Sequence, residues 1–372
     1  MTNVQTEYRP GLDGVIAAET VLSFLDTVEG RILIKGYDLI ELSKEKGYLD
    51  IVHLMIEDSL PTDEQRKAVE ERLKENYAVP KEVIDVLKLL PKDTDPMDAL
   101  RTGVSVLGSF DGALDDRSPE TNKDRAYRLL GQMPTIVANS YRILNDLEVI
   151  DPDESLPYSD NFLYMITGER PSELEADIFD NSLLLYSEHE MPNSTFTARV
   201  IASTNSDMYG ALTGGVASLK GNLHGGANEA VMHLLVEGKD VDGFVNLLKE
   251  KLANRERIMG FGHRVYMKKI DPRAVQMKEA LYELCEAKGD FELYEMCVAG
   301  EELMAEEKGL FPNLDYYAAP VYWMLNIPIE MYTPIFFSSR TVGLAAHVLE
   351  QHANNRLFRP RVKYNGEAYR EL

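Results

Sequence analysis

Apolar residues recur at helical spacing along most of the 372-residue chain. Thr62 is followed three residues later by Gln65, which is the arrangement of a helix-starting capping box, and an apolar face follows. Ser172 and Glu175 repeat this arrangement before a second apolar face. Strands do not alternate with helices, so we predict an all-α fold and exclude a doubly wound α/β sheet.

Two segments depart from this pattern. Short β-prone runs flank residues 27–30 and predict a small N-terminal hairpin. Residues 202–221 are rich in alanine, glycine and serine, which let helices approach closely in a core or at a subunit interface. Glycine inside a helix costs up to about 1 kcal/mol relative to alanine, so a loop at Gly214–Gly215 is the alternative interpretation.

The composition restricts the partners and the compartment of the protein. A formal net charge of −23 would repel a polyanion, which excludes nucleic acid as a partner. The sequence contains neither an apolar run of about 20 residues, as a membrane span requires, nor the start of a secretory signal. Cys285 and Cys297 are too few for a disulfide framework or a cysteine-built zinc site. We therefore expect a cytoplasmic protein.

A basic segment at residues 340–363 stands out against this acidic background, because it contains a single acid, Glu350. Its cations are Arg340, Arg356, Arg359, Arg361 and Lys363. Cations are favoured near a helix C-terminus, so a solvated helix end is one interpretation. Arginine forks also match carboxylates, so a pocket for small anions is the other.

Three of the seven histidines have neighbours that are unusual for a core residue. His224 precedes two glycines ahead of a predicted helix, where glycine lets a ligand approach the backbone. His189 lies at a helix end before a proline, and His263 lies between a glycine-rich turn and basic residues. The sequence lacks HExxH, GxSxG, P-loop and GxGxxG motifs, so we expect no metal, no serine hydrolase site and no nucleotide fold.

Taken together, the segments around these residues resemble the citrate synthase family. The motifs are EHEMPNSTFTAR, LKGNLHGGANEAV, IMGFGHRVYMKKIDPR, FPNLDYYAAPVYW and SSRTVGLAAHVLEQHANNRLFRPR, and the resemblance spans essentially the whole chain. Within the family, YSEHEMPNSTF and GFGHRVYMKKIDPR look closest to bacterial 2-methylcitrate synthases that also accept acetyl-CoA. The resemblance implies an acyltransferase that condenses propionyl-CoA or acetyl-CoA with oxaloacetate and water, giving 2-methylcitrate or citrate plus CoA.

The resemblance also implies a role for each site residue. Asp315 matches the base that removes the acyl α-proton, and His224 matches the donor to the developing enol oxygen. A carboxylate is a weak base at neutral pH, so it needs such a donor. His263 matches the residue that polarises the oxaloacetate carbonyl. The residues that match the oxaloacetate-binding set are His189, Arg273, Arg340 and Arg359.

Further expectations concern the surroundings of these residues. We expect a neutral His224, because the N-terminus of the helix that follows it disfavours an imidazolium. Asn193 and Thr195 are expected to orient the histidines. The residues expected to contact CoA are Gly260, Arg264, Lys268 and Lys269.

The architecture implied by the resemblance has two helical domains and the small N-terminal hairpin. Residues 1–225 and 324–372 form a large domain that carries the dimer contact and the oxaloacetate arginines. Residues 226–323 form a small domain that binds CoA, carries Asp315 and closes over the substrates. Arg359 reaches into the neighbouring subunit's site, so a homodimer is expected. The CoA thioester is a substrate, and no cofactor is implied.

Three alternatives stay open at this point. One is a strict citrate synthase of the tricarboxylic acid cycle, since acetyl and propionyl groups differ by one methylene. Another is a lyase that cleaves citryl-CoA, although such relatives are usually fused to larger chains. The third is a helical binding protein without catalysis, against which the intact His224, His263 and Asp315 argue.

Overall fold

The computed structural model describes residues 8–262, 269–367 and 369–372. Within these ranges the chain forms sixteen α-helices and one small sheet, so the predicted helical fold with an N-terminal hairpin is confirmed. The first ten helices are α1 (Leu39–Glu45), α2 (Tyr48–Glu57), α3 (Asp63–Lys74), α4 (Lys81–Lys88), α5 (Pro96–Gly108), α6 (Pro119–Leu144), α7 (Tyr158–Thr167), α8 (Glu173–Tyr186), α9 (Asn193–Ala202) and α10 (Met208–Leu219). The others are α11 (Ala227–Gly238), α12 (Val241–Ala253), α13 (Pro272–Lys288), α14 (Glu292–Lys308), α15 (Leu314–Met324) and α16 (Tyr332–Ala353).

Side-chain hydrogen bonds fix the predicted helix starts. Thr62 Oγ1 accepts from the backbone N–H of Gln65 at 3.3 Å, and the Gln65 side chain accepts from the N–H of Thr62 at 2.9 Å. Ser172 and Glu175 form the same reciprocal pair before α8. Each pair satisfies backbone N–H groups that have no partner inside the helix, so it fixes where α3 and α8 begin.

The sheet consists of three antiparallel strands, β1 (Ser23–Asp26), β2 (Arg31–Ile34) and β3 (Tyr37–Asp38). The first two strands are the predicted hairpin, whereas β3 was not predicted. The carboxylate of Asp26 accepts from the N–H groups of Val28 and Glu29, both at 3.0 Å. Gly30 closes the turn with a φ of 76°, a conformation that favours glycine. Both isoleucines of β2 are fully buried, so the sheet covers part of the helical core.

Most of the small-residue run, residues 208–219, forms α10 without interruption, so the alternative of a loop at Gly214–Gly215 is wrong. An added Cβ at Gly214 would collide with Ile201 of α9, and one at Gly215 would lie 3.4 Å from Phe337 of α16. The close packing of α10 between α9 and α16 offsets the low helix propensity of glycine.

The helix α16 lies at the centre of the fold. Every residue from Tyr332 to Val348 is buried, and the helix packs against α6, α8, α9 and α10. A helix that is surrounded on all sides has no exposed polar face. The polar side chains of α16, including Arg340 and His347, therefore lie inside the protein.

The helices α11 to α15 pack mainly on one another, with α15 against α11 and α13 and with α12 against α14. These helices also reach the remaining ones, since α13 packs on α8, α11 packs on α16, and side chains of α15 form hydrogen bonds with α8. The predicted site residues Asp315 and Arg273 lie on α15 and α13, near this boundary. In the part of the chain that the structure describes, no helix is both long enough and apolar enough to cross a membrane.

Candidate active site

His224 lies in the loop between α10 and α11, and this loop is held from both sides. An added Cβ at Gly225 would collide with the carbonyl oxygen of Leu219 and lie 3.1 Å from Thr333 Cγ2. Thr333 Oγ1 also donates to the carbonyl oxygen of Gly225 at 3.4 Å. Gly225 therefore makes room for the protein itself, whereas an added Cβ at Gly226 would meet no described atom within 4 Å.

The imidazole of His224 is held in its neutral form. The backbone N–H of Ser194, in the first turn of α9, donates to Nε2 at 3.1 Å, and the Ser194 hydroxyl lies 2.9 Å from the same nitrogen. A backbone N–H can only donate, so Nε2 is an acceptor and Nδ1 carries the ring proton. Burial and the charge of Arg340 lower the pKa of His224 to about 4. The neutral state that we expected agrees with this geometry. The backbone N–H that contacts the ring belongs to α9, however, and not to α11, the helix that follows His224.

Asp315 lies in the first turn of α15, where Asn313 caps the helix by accepting from the N–H of Asp315 at 3.1 Å. The hydroxyl of Tyr186 donates to Oδ1 of Asp315 at 2.7 Å. Burial raises the pKa of the Asp315 carboxyl above its ordinary value, although Tyr186, Arg273 and Arg340 act in the opposite direction. A raised pKa makes the ionised carboxylate a stronger base than an ordinary aspartate.

Arg273 and Arg340 bring two buried guanidinium groups into the site. Arg273 contacts both carboxylate oxygens of Asp271, with Nε at 3.1 Å from Oδ1 and Nη2 at 2.8 Å from Oδ2. Arg340 Nε donates to the carbonyl oxygen of Tyr186 at 2.9 Å, and the guanidinium lies 4.7 Å from the ring centroid of Phe336. Burial lowers the pKa of Arg340 to about 10, so the side chain stays cationic at neutral pH.

His189 lies between α8 and α9, on a segment that a buried hydrogen-bond network attaches to α16. The neighbouring Glu188 is fully buried, and its Oε1 accepts from the Ser23 hydroxyl at 2.8 Å and lies 3.1 Å from Nε2 of His347. The other ring nitrogen of His347 accepts from Arg199 at 3.0 Å, so Nε2 is the donor to Glu188. Burial opposes ionisation of Glu188, but His347 holds the pKa of that carboxyl below its ordinary value. The network fixes the backbone that carries His189.

A glycine-containing loop before α13 is anchored to the segment ahead of α15. Phe261 and Pro312 form an antiparallel bridge, and the carbonyl oxygen of Gly260 accepts from the N–H of Asn313 at 2.9 Å. Gly260 has a φ of 87°, and an added Cβ would lie 2.6 Å from Val231 Cγ2. Glycine is therefore required at this position for packing. Its contact with CoA stays a prediction.

Three of the predicted site residues, His263, Arg264 and Lys268, lie outside the described residues. Lys269, which follows them, is exposed and lines a depression of about 530 Å³ together with Ile270 and Phe311. The contact of Lys269 with CoA also stays a prediction.

The structure does not bring the basic C-terminal segment together within one chain. The helix α16 ends at Ala353, and Arg359 is exposed beyond it, with Nη1 donating to the carbonyl oxygen of Pro360 at 3.1 Å. The other cations exposed beyond the helix are Arg356, Arg361 and Lys363. Of the five cations, Arg340 alone lies in the buried site within one chain. A pocket for small anions that also uses Arg359 of a neighbouring subunit stays a prediction.

Two residues of the site were missed in the sequence. One is Ser194, which contacts His224 and lies between Asn193 and Thr195, the two residues that we expected to orient the histidines. Asn193 instead accepts a hydrogen bond from a serine of α10. The proline directly before α9 signals a helix start, where free N–H groups are available, and could have indicated Ser194. Tyr186 had no local signal, because its partner Asp315 lies 129 residues away.

The described side chains combine a neutral imidazole, a carboxyl with a raised pKa and two buried guanidinium groups. Arg340 acts on the pKa of both His224 and Asp315, so each of these two groups lies within electrostatic range of the same arginine. This arrangement can hold a dianion and can remove a proton next to a carbonyl whose oxygen receives a hydrogen bond. Across the described ranges, no group of three His, Cys, Asp or Glu side chains is arranged to hold a metal ion.

Comparison with known proteins gives consistent results over nearly the full length. Residues 11–361 match the family described as citrate synthase, C-terminal domain. The chain is 67% identical to a citrate synthase of Heyndrickxia coagulans, covering 97% of this chain and 96% of that protein. It is 66% identical to the citrate/2-methylcitrate synthase of Bacillus subtilis (strain 168), covering 97% of each.

The fold is similar to that of a solved citrate synthase. The structure of the Thermoplasma acidophilum citrate synthase, in ternary complex with carboxymethyl coenzyme A and oxaloacetate, superposes with a TM-score of 0.92. The two chains are 32% identical, and the match covers 98% of each.

The protonation state of His224 is directly testable. We expect the ring to stay neutral, with the proton on Nδ1, from about pH 5 to pH 8, because its pKa lies near 4. Ring ¹⁵N chemical shifts of histidine-labelled protein measure this, with His224→Gln to assign the signal and the exposed His233 as an internal reference. Titration of the His224 signal near the ordinary histidine value of 6.5 would contradict the structure.

Proposed function

The chain belongs to the citrate synthase family, and from this premise we propose that it joins the α-carbon of an acyl-CoA thioester to the keto carbon of oxaloacetate. Hydrolysis of the resulting thioester then releases CoA. The observation that carries the proposal is the pairing of a neutral hydrogen-bond donor, His224, with a carboxyl of raised pKa, Asp315. The buried Arg340 acts on the pKa of both groups.

Oxaloacetate binds first in this proposal. Its two carboxylates meet the guanidinium groups of Arg340 and Arg273, and His189 contributes a further polar contact. Arg273 is already paired with Asp271, so it brings less net charge than Arg340 does. The exclusion of water around these side chains strengthens their attraction for a dianion.

Proton removal from the thioester follows. Asp315 takes the α-proton of the acyl group, while Nδ1–H of His224 donates to the thioester oxygen on which negative charge develops. A neutral donor suits this task because its proton stays on the imidazole at neutral pH, where the pKa of about 4 excludes an imidazolium. The resulting enolate, hydrogen-bonded to His224 through its oxygen, attacks the keto carbon of oxaloacetate.

His263, which lies outside the described residues, completes the proposal by resemblance to the family. It polarises the keto carbonyl of oxaloacetate and protonates the new alkoxide. Residues 226–323 act as a small domain that closes over both substrates and excludes water while the enol forms. The mutual packing of α11 to α15 supports this division of the chain.

The acyl group is acetyl or propionyl in this proposal, which gives citrate or 2-methylcitrate. A relative that is 66% identical carries the name citrate/2-methylcitrate synthase, and this supports acceptance of both thioesters. The two substrates differ by one methylene, which is worth only about 1–3 kcal/mol in a pocket. We therefore expect a preference between them rather than rejection of either one.

The active form is a homodimer in which Arg359 completes the partner's site. Two observations support this: Arg359 is exposed on its own chain, and its guanidinium donates to the carbonyl oxygen of the adjacent Pro360. An arginine in this position is available to a carboxylate bound by a neighbouring subunit.

Release of free CoA tests the reaction. With saturating oxaloacetate, we expect the wild-type protein to release CoA from both acetyl-CoA and propionyl-CoA. Asp315→Asn removes the base but keeps the shape, so kcat should fall by at least about 100-fold while oxaloacetate binding, measured by calorimetry, is retained. Absence of CoA release by the wild-type protein with both thioesters would refute the proposed reaction.

The role of Arg359 across the dimer can be tested by complementation. Arg359→Ala and Asp315→Asn homodimers should each be nearly inactive. Co-expression forms mixed dimers in which one site has an intact Asp315 and receives Arg359 from its partner. If subunits mix randomly, about a quarter of the wild-type activity should return. If Arg359 acts within its own chain, both sites of a mixed dimer are defective and no activity returns.

A further inference from the structure

Tyr186 links the proposed catalytic base to the central helix α16. Building on the proposed role of Asp315 as the base, we propose that Tyr186 is a positioning residue that holds Oδ1 of Asp315 and leaves Oδ2 to take the substrate proton.

The geometry fixes Tyr186 at both ends. It is the last residue of α8 and is 1% exposed. Its hydroxyl donates to Oδ1 of Asp315 at 2.7 Å, while its carbonyl oxygen accepts from Arg340 Nε at 2.9 Å. Its ring packs on Phe336 with 4.6 Å between centroids. One residue therefore sets both the orientation of the base and the position of an arginine that is proposed to bind oxaloacetate.

Tyr186 acts only as a donor at working pH. Burial and the nearby Asp315 raise the pKa of the phenol well above its ordinary value, so the hydroxyl keeps its proton. In the described part of the chain, Tyr186 is the one hydrogen-bond donor to the Asp315 carboxylate. A carboxylate with one oxygen occupied has a defined orientation, and its free oxygen is the site for proton abstraction.

Other charged groups surround Asp315 without fixing its orientation in this way. The titratable groups that face it or lie next to it are Tyr186 of α8, Asp271 and Arg273 at the start of α13, Tyr322 of α15, and Arg340 of α16. The acids of α11 and α14 in this region are engaged elsewhere: Glu229 accepts from Thr333, and Glu301 accepts from Tyr317. Loss of the Tyr186 hydroxyl would therefore remove a stabilising contact to the ionised carboxylate that no other described residue replaces.

The chain offers a matched control for testing this role. Tyr322 is also fully buried and also joins α15 to α8, but its hydroxyl lies 3.2 Å from Ser182 Oγ rather than against Asp315. Tyr186→Phe and Tyr322→Phe each remove one buried hydroxyl between the same two helices. Only the first change removes a hydrogen bond to the base.

For Tyr186→Phe we expect kcat to fall by about 10- to 100-fold, with the KM for oxaloacetate changed by less than about threefold. In the pH profile of kcat/KM for the acyl-CoA, the acidic limb should move to higher pH by about one to two pH units. The sign follows because the carboxylate loses a donor that favours its charged form, so it protonates at higher pH. Tyr322→Phe should leave kcat within about twofold of the wild-type value and the acidic limb within about 0.3 pH units of its wild-type position.

An acidic limb that does not move in Tyr186→Phe, or moves equally in Tyr322→Phe, would overturn the proposal. If Tyr186→Phe fails to fold, site-specific replacement of Tyr186 by 3,5-difluorotyrosine provides a second test that keeps the shape. The more acidic phenol is a stronger donor, so the acidic limb should move to lower pH, and an unchanged limb would again overturn the proposal. CoA release by the wild-type protein separates the two claims, because it tests the reaction and not Tyr186.

Discussion

The site depends on the close approach of the segment 186–190 to α16. An added Cβ at Gly343 would collide with the carboxylate of Glu188 and lie 2.7 Å from the carbonyl oxygen of Ser187. Glycine at this position lets the backbone lie directly on the central helix, where Tyr186 accepts from Arg340 and Glu188 accepts from His347. This contact brings together Arg340 and His189, which would hold oxaloacetate, and Tyr186, which would hold the base Asp315.

This packing also sets the charge states on which the proposed chemistry depends. Burial works against every charged form, so it lowers the pKa of Arg340 and His224 and raises the pKa of Asp315. The charge states at neutral pH differ because the ordinary pKa values of arginine, histidine and aspartate differ. Arg340 remains a cation, His224 becomes a neutral donor, and Asp315 becomes a stronger base when it is ionised. One physical effect therefore assigns three chemical roles.

The sequence predicted the features that have local causes. The capping boxes at Thr62 and Ser172, the hairpin around residues 27–30 and the helical class of the fold follow from contacts between residues close in the chain. We expected the glycines after His224 to let a ligand approach the backbone. At Gly225 the closeness of Leu219 and Thr333 shows that glycine makes room for the protein itself.

Contacts between distant segments could not be predicted in this way. The bond from Ser194 to His224 spans 30 residues, and the bond from Tyr186 to Asp315 spans 129. The proline before α9 marks a helix start with free N–H groups, but no local signal identifies the distant side chain that binds there. Tertiary packing alone creates such pairs. The cations of the basic C-terminal segment likewise do not cluster within one folded chain, because Arg340 is buried in α16 and Arg359 is exposed beyond its end.

Removal of the acyl α-proton is tested most directly by exchange of the acyl α-hydrogens with D₂O. During this exchange a dicarboxylate without the keto group, such as malate, occupies the oxaloacetate site. This isolates formation of the enol from the condensation that follows. We expect exchange in the wild-type protein and a loss of at least about 100-fold in both His224→Ala and Asp315→Asn. Exchange at the wild-type rate in His224→Ala would contradict the claim that a neutral His224 stabilises the enol.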